Sequence, residues 1–140
     1  MKSATQLYVA SASEQLVMVE TYVDRLRACG FEITYEWTKD VREGGFKSDD
    51  SLSDQQRRYS AKMDYHGVKT ADLVWVLTPP SKSQGCGMWI EMGMALSLGK
   101  RVVVSGPLAR RSIFAELAEV VLDQHELAFD YICKKAIVAA

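Results

Sequence analysis

Cysteine, proline and histidine are scarce in this 140-residue chain, and each scarcity removes a class of protein. The three cysteines, Cys29, Cys86 and Cys133, are odd in number, far apart and in no CxxC pair. That excludes a disulfide framework and implies free thiols in a reducing, cytoplasmic compartment. Neither His66 nor His125 stands at metal-ligand spacing from a cysteine, so no metal site is expected. No apolar run approaches the ~18 residues that a membrane span needs. The opening Met1 to Gln6 lacks the apolar core of a signal peptide. Charge of one sign is also missing. The net charge of −1 argues against a broad hold on nucleic acid or on an anionic membrane. What is present, 48% hydrophobic and 25% charged residues, suits an ordinary globular chain, expected as one domain over residues 1–140.

The pattern alternates. Gln6 to Ala10 reads as a strand, ending in Ser11-Ala12-Ser13. From Glu14 to Cys29, Leu16, Val19, Tyr22, Val23 and Leu26 share one helical face, and Gly30 ends the helix. Phe31, Ile33 and Tyr35 alternate with polar neighbours, so Phe31 to Trp37 is expected as a strand. Thr38 to Asp54 carries no period and reads as a long loop. Gln55 to Val68 reads as a helix. Ala71 to Thr78 is apolar on both faces, which suits a central parallel strand, and Pro79-Pro80 ends it. A helix is expected from about Met88 to Leu98, a strand over Arg101 to Ser105, a short strand over Glu119 to Leu122 and a helix over His125 to Ala139.

Such alternation predicts an α/β fold: a flavodoxin-like, doubly wound, five-stranded parallel sheet in a three-layer α/β/α arrangement. Ligands in that architecture bind at the carboxyl ends of the strands. The rule selects the loops Ser11–Ser13, Trp37–Asp54 and Pro79–Gly87.

Glu91 stands in the helix that leaves the third of these loops, in its first turn on the boundaries above. A carboxylate there suits helix capping, because the amino end of a helix attracts anions. It equally suits catalysis, because its neighbours Trp89, Ile90, Met92 and Met94 are apolar and its helix starts at the ligand-binding edge. Gly93 and Ala95 are small residues expected where this helix packs closely on the sheet. Asp64 suits a solvated helix face, and Asp72 a hydrogen-bonded structural role at the amino end of its strand. Tyr35, Trp37 and Trp89 are aromatic residues able to flank a base, or to fill the core.

The stretches Asp64 to Asp72, Gly85-Cys86-Gly87-Met88 and Glu91-Met92-Gly93-Met94-Ala95-Leu96-Ser97-Leu98-Gly99-Lys100 resemble the nucleoside 2-deoxyribosyltransferase family, which includes the 2′-deoxynucleoside 5′-phosphate N-hydrolases. The resemblance covers most of Gln6 to Val104. It implies that Glu91 is the nucleophile at the sugar's anomeric carbon and that Asp64 is a second carboxylate managing protons. It implies Tyr8 at the edge of the sugar pocket. Ser11, Ser13, Ser83 and Ser112 would hold a 5′-phosphate, with Gly85 and Gly87 in the loop and Trp37 near the base. Ser112 would reach across a homodimer into the neighbour's site. No cofactor is implied.

Three departures stand out. Trp89 and Ile90 look like two extra residues before Glu91. The first loop lacks the arginine of the phosphohydrolase branch, for which Arg110 or Arg111 are candidate replacements. The chain ends Ile137-Val138-Ala139-Ala140, without the terminal aromatic residue of the transferase branch.

Two carboxylates suit N-glycosidic cleavage, which passes through an oxocarbenium-like transition state. The expected activity is an N-glycosidase that cleaves a (deoxy)nucleoside or its 5′-monophosphate through a glycosyl-Glu91 intermediate, with water taking the sugar. A deoxyribosyltransferase and a non-catalytic nucleotide-sensing module are the alternatives. A redox flavodoxin fits less well, because Ser11-Ala12-Ser13 is short for its phosphate loop.

Overall fold

The computed structural model describes residues 4–44, 51–81 and 85–139, with side chains up to Lys135. Five strands form one parallel sheet: β1 (Gln6–Ala10), β2 (Glu32–Ile33), β3 (Leu73–Leu77), β4 (Arg101–Ser105) and β5 (Val120–Leu122). Their spatial order is β2-β1-β3-β4-β5, the doubly wound arrangement expected from the alternation. All five residues of β3 are buried, as its two-sided apolar run requires at the centre of a covered sheet.

The helices are α1 (Leu16–Ala28), α2 (Trp37–Glu43), α3 (Asp54–Thr70), α4 (Cys86–Ser97) and α5 (His125–Ala139). Right-handed crossovers send α1 to one face and α3 and α4 to the other. The α5 helix returns to the α1 face, where the Glu126 carboxylate accepts from both terminal guanidinium nitrogens of Arg25. Among the described residues no helix is long and apolar enough to cross a membrane.

Two expectations fail in the same place. The second strand covers Glu32–Ile33 only, and Trp37 opens a helix inside the stretch read as a loop. Pairing beyond Ile33 would need the Val9 carbonyl, and the Trp37 indole N–H takes it at 2.7 Å. With its ring anchored on β1 and Thr38 buried beside it, the segment coils into α2 instead of extending. Downstream, Ser53 and Gln56 form a reciprocal capping box that starts α3. At the opposite edge Asp72 accepts from the Gln6 amide at 2.8 Å, the structural role expected of it.

The carboxyl end of β3 is held by a buried polar chain. Trp75 donates its indole N–H to the Ser105 hydroxyl at 2.9 Å, and that hydroxyl lies 2.7 Å from His125 Nδ1. Thr78 donates its hydroxyl to the Ser105 carbonyl at 2.8 Å. Burial holds His125 below its usual titration range, so the ring shares this hydrogen bond in its neutral form. Pro79 and the loop toward α4 leave from this anchored point.

Candidate active site

The site begins with helical spacing. Met88, Glu91, Met92 and Ala95 recur at i, i+3, i+4 and i+7 on α4, and all four are buried. Glu91 is therefore carried inward with the apolar stripe of its own helix and is only 8% exposed. Gly93 falls on the opposite side, where a Cβ would meet nothing within 4 Å. The close packing expected at Gly93 is therefore not there, whereas Ala95 does have it. Gly87 is similarly open, while Gly85 (φ +90°) supplies the left-handed turn that starts the helix.

Because α4 begins at Cys86 and not near Met88, Glu91 is its sixth residue and lies beyond the first turn. The capping role is thereby removed, since the dipole's favourable effect on an anion fades past that turn. What remains is a carboxyl group taken out of water. Burial, reinforced by the nearby negative charge of Asp64 and opposed by the Tyr8 hydrogen bond, pushes Glu91 up to about 8.

Tyr8 projects from β1 toward α3 and α4, is fully buried, and donates its phenolic O–H to Glu91 Oε2. Burial, then the charges of Glu91 and Asp64, holds the phenol well above its ordinary value, so it remains a donor at neutral pH. Asp64 lies half-buried on α3. Its negative charge acts on Glu91, Tyr8 and Tyr35 together, which makes these four side chains one electrostatic group.

Sequence reasoning named Tyr35 only as an aromatic flank and missed two contributors, Asp40 and Gly67. Tyr35 donates its hydroxyl to Asp40 on α2, bringing a third carboxylate toward this group. Burial, followed by that bond, raises the Tyr35 phenol above its ordinary value. The signal for Asp40 was hidden because its segment reads as loop. Gly67 on α3 is the second. A Cβ there would stand 2.7 Å from Tyr8 Cδ2 and 2.9 Å from Tyr35 Cβ, so only glycine lets α3 lie against both tyrosines. A glycine inside a helical pattern is the signal that could have found it. Gly67→Ala would gain about 1 kcal/mol on an isolated helix. Here overpacking of about 1–3 kcal/mol opposes that gain. Urea unfolding of Gly67→Ala should therefore show net destabilisation, and a stabilised variant would mean that α3 does not press on Tyr8.

The remaining expected site residues are scattered. Ser11, at the end of β1, donates its hydroxyl to the Leu77 carbonyl at 2.8 Å and so ties the carboxyl ends of β1 and β3. Ser13 opens a short 3-10 turn whose amino end has no side-chain cap and whose Gln15 amide donates to the Ala12 carbonyl at 2.9 Å. Trp37 is buried, with its N–H engaged by Val9. Ser112 accepts from the Phe114 amide at 3.2 Å as the cap of a second 3-10 turn, Ile113–Leu117. Arg110 pairs with Glu116 at the surface. Ser83 lies outside the described residues.

A three-layer α/β/α fold with a buried carboxyl, a tyrosine donor and a second carboxylate defines the class of site. No protein-family model matches the chain, and no curated protein matches it. Among solved structures it is similar to a CMP N-glycosidase from Clostridium botulinum, BcmB, with a TM-score of 0.51 and 18% identity, over 91% of this chain and 98% of that one. At that identity the likeness is one of fold.

Proposed function

We propose that this chain is an N-glycosidase that cleaves the base–sugar bond of a nucleoside or nucleoside 5′-monophosphate. The observation that carries this reading is the buried Glu91 carboxyl, held by the Tyr8 hydroxyl and facing the charge of Asp64. A buried carboxylate of this kind attacks one carbon well when a fixed donor orients it. Ionised Glu91 attacks the anomeric carbon, the C–N bond breaks, and its electron pair leaves with the base, which takes a proton from a water held by the Asp64 carboxylate. The sugar remains as an ester on Glu91. The hydroxide so formed, still held beside Asp64, then attacks the same carbon and frees the Glu91 carboxylate. The fold's likeness to a CMP N-glycosidase supports a nucleotide substrate.

The test is release of free base from a panel of nucleosides and monophosphates, read by chromatography. A 2-fluoro substrate that slows ester hydrolysis should leave a sugar adduct on the peptide that contains Glu91. No base released from any member of the panel would end the glycosidase reading. Added second base, if it captures the sugar, would assign a transferase instead of a hydrolase. The exposed Ile113, Phe114 and Leu117 beside Ser112 suit burial against a second copy of the chain, which light scattering would read as a doubled mass.

A further inference from the structure

On the face of the sheet away from Glu91, α1 and α5 lie side by side. Both run antiparallel to the strands, so they run parallel to each other, and two successive contacts between them share one register. Tyr22 donates to Glu126 across a separation of 104 residues. One turn on, the Arg25 guanidinium sits 4.1 Å from the centre of the Phe129 ring, at the same separation. A further turn at that register pairs Cys29 with Cys133. Cys29 caps the end of α1 and is exposed, whereas Cys133 is half-buried on α5. The Cys29 thiol is among the groups that raise the Cys133 thiol, as neighbours at this register would be. The third cysteine, Cys86, is at the start of α4.

We infer that Cys29 and Cys133 form a reversible disulfide under oxidising conditions, stapling the carboxyl ends of α1 and α5. The oxidant is a peroxide. The exposed Cys29 sulfur attacks a peroxide oxygen, the O–O bond breaks, and the departing oxygen takes the thiol proton to leave as water, giving a sulfenic acid. The Cys133 sulfur then attacks the Cys29 sulfur, the S–O bond breaks, and hydroxide leaves as water with the Cys133 proton. Burial first, and the neighbouring Cys29 second, hold the Cys133 thiol up at about 11. A thiol so protonated reacts slowly, so the bond forms on sustained exposure and the reduced pair persists in a reducing compartment. Helix carboxyl ends lie at the strands' amino edge, opposite the proposed chemistry. The staple therefore acts on stability, by closing a long loop of the unfolded chain. The inference does not depend on what Glu91 does.

The experiment uses Cys86→Ser, which removes the exposed competitor, treated with hydrogen peroxide and compared with its reduced form. The expected result is a loss of about 2 Da from the monomer, a non-reduced peptide joining Cys29 to Cys133, and no titratable thiol in denaturant. Melting temperature should rise by several degrees and return on adding dithiothreitol. Oxygen adducts on Cys29 with no cross-linked peptide would overturn the inference, as would a covalent dimer in place of the internal bond.

Discussion

Glu91→Gln should abolish base release, lowering kcat/KM by on the order of 10⁴-fold or more, because the amide keeps the shape of the side chain but cannot form the sugar ester. The isostere matters. Glu91→Ala would also open a cavity under α4 and leave the buried Tyr8 hydroxyl without its acceptor, so a loss of activity there mixes folding with chemistry. Gln retains an oxygen that can accept from Tyr8. Full base release by a folded Glu91→Gln protein, checked by circular dichroism, would remove Glu91 from the chemistry whatever the substrate. In the wild type the carboxyl must be ionised to attack. The pH profile of kcat/KM should therefore climb with a midpoint near 8, well above the ordinary glutamate range.

The same carboxyl should leave a signature in stability that needs no substrate. Its value rises from 4.5 to about 8 on folding, so the folded chain binds this proton more tightly than the unfolded chain does. The stabilisation is fully present below about pH 4.5 and is lost as pH rises through 8. At 1.36 kcal/mol per unit this is on the order of a few kcal/mol. His125 contributes a slope of the opposite sign. Its lowered value favours the fold above its ordinary range, and that contribution is lost as pH falls. Glu119, held at about 2 by Arg101, contributes stability that is present above 4.5 and lost only in stronger acid. The quantity to measure is therefore the difference between wild type and Glu91→Gln, in which these other groups cancel. Between pH 4.5 and 8.5 the melting temperature of the wild type should fall relative to that of the variant by several degrees. Parallel curves across that window would mean that Glu91 is already ionised, and the burial argument would fail with them.

How much of this was legible beforehand follows from the range over which each rule acts. Strand and helix periods, the apolar run of β3, the proline stop after it and the glycines that end helices are local. They gave the layer order and the parallel sheet without any three-dimensional information. Local rules failed where a distant partner intervened. The alternation through Tyr35 predicted a longer second strand, but the Trp37 indole competes for the Val9 carbonyl. Its apolar neighbours and its place in the fold left Glu91 open between capping and catalysis, and the family resemblance chose catalysis. A two-residue change in where α4 begins nevertheless turned a carboxylate read at a helix start into one carried into the core.

Taken alone, the sequence determined the architecture, because period and composition record which faces must be buried, and it named a candidate edge of the sheet, with Glu91 and Asp64 singled out there by the family resemblance. Only the tertiary structure decided that Tyr8 donates to Glu91, that Gly67 leaves room for two tyrosines, that Asp40 joins them, and that Cys29 meets Cys133. Each of these pairings except Tyr35 with Asp40 joins residues dozens of positions apart in the chain. Their energies depend on burial and separation in space, which no local pattern of residues encodes.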